Sequence, residues 1–218
     1  MADGDAPGGI SRRLPDKFAR RRSELARAAL NTLAELGYAR TSLREIAQNS
    51  EFSHGVLHYY FNDKVELITV CVRDYKTSCV QRYDRITAEA STYPELVETF
   101  LLALATTLGQ DAKMHRLWYD LRAQALFEPA FRADVLEIDR SLEAMIWRVV
   151  SRAAELAGAR ITLSPPTLYA VFDGLFQCAL LTHLAGDATA GEVLQRRVRD
   201  LLPTCLSKTP FEMGANAA

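Results

Sequence analysis

The chain has 218 residues, of which 49% are apolar and 24% charged. That balance belongs to a globular protein with a sizeable core, built as one large domain or as a small domain joined to a larger one. A net charge of −1 excludes a protein that holds polyanions with its whole surface, so any contact with one must be made by a local patch.

The first residues, rich in Gly, Asp, Ala and Pro, predict a disordered basic arm over 1–14. They have no apolar segment of the secretory kind, and a cytoplasmic protein is expected. Between Arg12 and Arg22 six positive residues stand against Asp16 alone. Taken by itself this cluster is a solvated surface or a nucleic-acid-contacting arm. Phe18, Leu25, Ala29, Leu33 and Leu36 then recur at helical steps, and Gly37 predicts a left-handed stop. Thr41 or Ser42 can cap a second helix, with Glu45 three residues after Ser42 in capping-box spacing. Leu43, Ile46, Ala47 and Ser50 form its inward face. Ser53 can cap a short third helix ending near Phe61.

Asn62 or Asp63 can cap a fourth helix with the stripe Val65, Ile68, Val72, Tyr75, Cys79, Tyr83 and Ile86. It spans roughly 25 residues, or about 38 Å. Tyr93-Pro94 and Glu128-Pro129 mark breaks. Val97 to Leu108 predict a fifth helix, Met114 to Ala125 a sixth, and Val135 to Leu156 a seventh that ends at Gly158. Ser164-Pro165-Pro166 opens an eighth, through about Leu184, that is apolar on nearly all sides and so expected to be buried all round. The ninth runs from about Ala190 to Leu206. No apolar run reaches membrane-spanning length by this reading, and no membrane partner is expected. No strand alternation is visible. Cys71, Cys79, Cys178 and Cys205 form no CxxC pair and are read as buried thiols. No metal or cofactor is expected. The expected fold is all-α, with about nine helices. A three-helix helix-turn-helix domain covers 15–62, a ligand-binding and dimerisation domain 63–208, and a loose tail 209–218.

The stretch from Thr41 to Lys64 carries the chemistry. A duplex-reading helix must fit the major groove and present polar groups near its N-terminus. In the segment opened by Ser53, Leu57 and Phe61 point inward. His54, Gly55, Val56, His58 and Tyr59 fall on or beside the outer face, where ring nitrogens and a hydroxyl can meet base edges or phosphates and Val56 a thymine methyl. Tyr60 serves this face or the core. Thr41, Arg44 and Lys64 lie at helix starts, suited to phosphates. His54 and His58, four apart, lack the third ligand that zinc needs.

These residues resemble the DNA-binding domain of TetR-family regulators. The pattern is carried by Gly37, by Thr41-Ser42-Leu43-Arg44-Glu45-Ile46-Ala47, by Phe52 through Phe61, and by Lys64-Val65-Glu66-Leu67. Two positions depart from it. Glu51 stands at the family's turn glycine, where a left-handed backbone would cost on the order of 1 kcal/mol unless the turn is reshaped. His58 replaces a phosphate-binding tyrosine and has a shorter reach. With the motif present, the basic arm, Arg12 and Arg13 included, is expected on the minor groove or backbone. Trp118 with Leu121 to Pro129, and Phe172-Asp173-Gly174-Leu175, look similar to the BetI-like branch.

The resemblance implies a ligand-responsive regulator that binds a pseudo-palindromic operator on double-stranded DNA as a homodimer, through a bundle of its last two helices. It implies release by a small organic effector from a pocket between the fourth and eighth helices. Tyr75, Cys79, Tyr83, Trp118, Arg122, Phe127, Phe172, Phe176 and His183 are the polar and aromatic candidates for that pocket. Ordinary core packing, with Arg122 in an internal ion pair, is the other reading of each. Two rival functions are a ligand-binding or interaction protein that has lost DNA binding, and a small helical enzyme. For the enzyme, Met114-His115-Arg116 and Asp120 are the nearest approach, and they match no catalytic motif.

Overall fold

The computed structural model describes residues 13–37 and 41–208. Within them the helices are α1 (Arg13–Leu36), α2 (Leu43–Gln48), α3 (His54–Tyr60), α4 (Lys64–Glu89), α5 (Tyr93–Gln110), α6 (Ala112–Gln124), α7 (Pro129–Ala157), α8 (Pro165–Leu184) and α9 (Ala190–Thr204). α1 begins inside the stretch expected to be a loose arm.

Local signals set these boundaries. Gly37, at φ 76°, leaves α1 through the left-handed region, which costs a glycine nothing. Ser42 and Glu45 form a reciprocal box: the serine hydroxyl accepts from the Glu45 N–H, and the Glu45 carboxylate accepts from the Ser42 N–H at 2.7 Å. Ser53, Asp63 and Thr92 each accept an N–H of the first turn of α3, α4 and α5. Pro94 and Pro129 occupy first-turn positions, where a missing N–H costs nothing. Gly158, at φ 59°, ends α7.

Four expectations need correction. Residues 159–161 (β1) and 206–208 (β2) form a short antiparallel pair, so the fold is helical but for one two-stranded clip beside α7 and α9. Cys178 is exposed, while Cys71, Cys79 and Cys205 are buried. α8 is not buried all round: Leu168, Phe172, Phe176 and Leu180 pack inward, but Leu181 is 72% exposed. By length and composition α8 is also long and apolar enough to cross a membrane, contrary to the sequence reading. It packs along α7 and α9 here.

α2 and α3 pack on each other, and α1 reaches α4 and α6. α4 packs on α7, and α5 and α8 close on α9. One continuous core runs from Leu25 and Leu57 in the N-terminal unit to Leu202 and Cys205.

Candidate nucleic-acid interface and the cavity behind it

α3 is held by its inward residues and presents the rest. Leu57 and Phe61 are fully buried, as their four-residue spacing predicts. Ser53, His54, Gly55 and His58 are exposed, and Tyr59 is 73% exposed. Val56 is half-buried against the core. Tyr60 turns back onto α1, its ring stacked on Phe18 at 4.8 Å. His54 and His58 bring their Nε2 atoms to 3.1 Å, within hydrogen-bond distance. Among the described residues no cluster of three metal-ligating side chains occurs.

The other expected phosphate contacts divide. Arg44 is exposed on α2 and Lys64 half-buried at the start of α4. Thr41 is buried, and its hydroxyl donates to the Gly37 carbonyl at 2.6 Å, so it braces the exit from α1 instead of facing solvent. Arg12 and the Arg13 side chain lie outside the described residues. In the turn between α2 and α3, Ser50 accepts from the Phe52 N–H, and Arg21 lies 5.3 Å from the Phe52 ring centroid.

Two seams connect this unit to the body. At the first, Arg22 of α1 pairs with Glu66 of α4 and lies over the Phe61 ring. Glu66 also accepts from the Asn62 backbone and side-chain N–H groups at 2.8 and 2.9 Å. At the second, Arg116 of α6 donates to the carbonyls of Ala34 and Glu35, capping the last turn of α1, and Lys113 pairs with Glu35 at 3.0 Å.

Behind these seams lies a cavity of about 70 Å³. Lys76, Cys79 and Tyr83 of α4, His115 and Tyr119 of α6, and Tyr169, Phe172, Asp173 and Phe176 of α8 form much of its wall. Leu142, Met145 and Ile146 of α7 supply an apolar side. Lys76 is only 5% exposed, and its Nζ lies 3.1 Å from His115 Nδ1. An ammonium only donates, so Nδ1 accepts. The His115 proton therefore sits on Nε2, which donates to the Tyr75 hydroxyl at 2.9 Å. Burial first, then the Lys76 and Arg82 charges, hold His115 well below its usual range, so the ring is neutral. Burial likewise lowers Lys76 to about 8, against partial support from Cys79, Asp173 and Asp139.

At the other end of the cavity the acids are engaged. Asp173 accepts from the Tyr119 hydroxyl at 2.9 Å and pairs with Arg122. Arg122 also reaches Asp139 at 3.3 Å, and Asp139 accepts from Tyr169. Burial raises the Tyr119 and Tyr169 pKa values, which keeps both hydroxyls protonated as donors.

Of the pocket candidates read from sequence, Cys79, Tyr83, Phe172 and Phe176 stand at the wall. Tyr75 lies one layer back, against His115. Trp118 is buried beneath Lys76, 5.2 Å from Nζ to the ring centroid. Arg122 is in the internal ion pair. Phe127 is 81% exposed in the turn after α6, and His183 is half-buried in the last turn of α8, so neither reaches the wall. Sequence reasoning passed over Lys76, Tyr119, Tyr169 and Asp173. Asp173 falls within Phe172-Asp173-Gly174-Leu175, and Lys76 lies three residues before Cys79 and four after Val72.

Residues 25–71 match the family described as bacterial regulatory proteins, tetR family, and residues 94–207 match the C-terminal domain of BetI-type transcriptional repressors. The chain is similar to the HTH-type transcriptional regulator BetI of Burkholderia thailandensis, 27% identical over 183 residues that cover 84% of this chain and 93% of that protein. Its fold is similar to that of a TetR transcription regulator from Haloarcula marismortui, with TM-score 0.71 and 17% identity over 87% of this chain and all of that one. A regulator from Saccharomonospora viridis, crystallised in complex with choline, aligns with TM-score 0.69 and 15% identity over 86% of this chain and 98% of that one.

Proposed function

The chain belongs to the tetR family of bacterial regulatory proteins, with a C-terminal domain of the BetI type, and from that premise we propose that it acts as a homodimeric repressor released from its operator by a small organic effector. It is a DNA-binding transcriptional regulator with a ligand-binding C-terminal domain. The finer reading rests on one observation. α4 begins at Lys64, beside the exposed face of α3, and carries Lys76, Cys79 and Tyr83 into the cavity wall. One rigid element thus touches both sites.

The duplex is read by His54, Gly55, His58 and Tyr59, with Val56 beside them. Ser53, Arg44 and Lys64 hold the phosphates. The reading unit ends near Asn62, and the sensing and pairing unit follows. The protein works in the cytoplasm, where the duplex is. Two copies pair through the outer faces of α8 and α9. The exposure of Leu181, Leu184, Ala170 and Cys178 along α8 supports this seam. The two recognition helices then meet two half-sites of a pseudo-palindrome.

The switch is a population shift. The effector binds better to a state in which α4 has swung and the reading helices stand further apart, and DNA binds better to the closer state. Each ligand therefore weakens the other by the same factor. Emptying an operator from 99:1 to 1:99 requires a preference of about 5.5 kcal/mol between the two states.

Fluorescence anisotropy on a labelled operator duplex, paired with sedimentation of the complex, tests the reading. Steeply salt-dependent binding by two chains, or a multiple of two, is expected. Salt-insensitive or absent duplex binding would refute it and favour a protein that has kept the fold and lost the DNA.

A further inference from the structure

We infer that the cavity takes a short monocarboxylate with a small apolar body, its carboxylate received by Lys76. This deepens the proposed function and rests on the cavity being the effector site.

Lys76 carries three N–H donors, and His115 Nδ1 is the one hydrogen-bond acceptor it meets among the described residues. No ion pair reaches it there either. The nearby acids are spent elsewhere: Asp173 on Tyr119 and Arg122, Asp139 on Arg122 and Tyr169. His115 cannot supply the missing charge, because its other nitrogen donates to Tyr75. The Trp118 and Tyr75 rings lie 5.2 and 5.7 Å from Nζ and give it cation–π contact, but neither ring is an oxygen acceptor, so two N–H groups of this buried ammonium call for an anionic acceptor with two oxygens. A carboxylate supplies both. A phosphate dianion would need more than this one cation.

The remaining wall fits the rest of such a molecule. Leu142, Met145, Ile146, Phe172 and Phe176 are apolar. At ~10–15 Å³ for each water-sized group, the volume of about 70 Å³ holds roughly five to seven such groups, a range that includes butanoate. Lys76 also borders a second cleft, between α4 and α7, lined by Arg73, Thr77, Glu137, Ile138 and Ser141.

Calorimetric titration of the full-length protein with propanoate, butanoate, pentanoate, 1-butanol and choline tests the inference. One carboxylate is expected to bind per chain, at least about tenfold tighter than the matching alcohol or choline. Lys76→Met should lose this preference by a similar factor. Asp173→Asn should keep it, since Arg122 retains Asp139. Tighter binding of choline than of the carboxylates overturns the inference, and so does saturable binding of neither. Retention of carboxylate preference in Lys76→Met overturns the role of Lys76. Should that variant fail to fold, the wild-type comparison still decides. Duplex binding is measured on the same preparation. If it persists while the carboxylates fail, only the ligand class falls; if both fail, the regulator reading falls with it.

Discussion

Arg22 on α1 and Glu66 on α4 are joined side chain to side chain across the boundary between the DNA-reading unit and the helix that walls the cavity. Glu66 also holds the Asn62 N–H groups, so one carboxylate fixes the exit of α3, the start of α4 and the flank of α1. Removing it frees all three. Glu66→Ala is expected to cost about 1–2 kcal/mol, seen as a fall in melting temperature of about 2–8 °C. Duplex affinity should drop several-fold. Glu66→Gln keeps an acceptor for Asn62 and should recover part of both losses.

The two faces of α3 predict opposite signatures. Tyr59 is mostly exposed, so Tyr59→Ala should leave the denaturation midpoint within about 0.5 kcal/mol of wild type while weakening duplex binding by at least about tenfold. Leu57 is fully buried, and Leu57→Ala should cost about 2–5 kcal/mol in stability. Equal stability losses in the two variants would mean that α3 is oriented differently.

The outer face of α8 predicts the oligomeric state. Leu181→Arg adds a charge where the structure leaves a leucine 72% exposed in the single chain. A lone chain tolerates that change. A seam between two chains does not, because an unpaired charge would be buried. Sedimentation should show a folded monomer with greatly reduced operator affinity. A dimer that survives the substitution places the seam elsewhere.

Lys76 gives a pH signature of defined sign. Burial lowers its pKa from 10.5 to about 8. Below about 8 both folded and unfolded chains hold the proton, and the cost of burying the charge is constant and full. Between about 8 and 10.5 the unfolded chain binds a proton that the folded chain has released, so this residue's contribution to stability rises with pH. Tyr75 and Cys79 on α4, His115 and Arg122 on α6, Asp139 on α7 and Asp173 on α8 surround it and are common to wild type and variant. Urea denaturation should therefore find Lys76→Met more stable than wild type below pH 8, with the margin shrinking as pH rises to 10.5. A margin that is flat or grows across that window would contradict the assignment of a buried charge.

Much of the N-terminal unit was legible because its signals are local. Ser42 with Glu45, Ser53 before α3, and Gly37 after α1 act within four residues of themselves. Pro94, Pro129 and Gly158 marked the body in the same way. Thr41 misled because its chemistry suits a phosphate, while only the fold reveals the Gly37 carbonyl beside it. The β1–β2 pair was invisible: three residues on each side, joined across more than forty positions, leave no alternation to detect. Lys76 was passed over because a lysine on a helix usually faces water. The buried face of α4 in fact steps through Ile68, Val72, Lys76, Cys79 and Tyr83. Phe127 and His183 were chosen for residue type, and the ends of α6 and α8 carry them away from the cavity.

Selection from random duplexes by the full-length protein asks whether α3 reads DNA in symmetric pairs. A two-fold symmetric site should be enriched, its half-site centres about one helical turn apart or a multiple of it, and the enrichment should be lost on Tyr59→Ala. Recovery of asymmetric single half-sites, or of no preferred sequence, would contradict it.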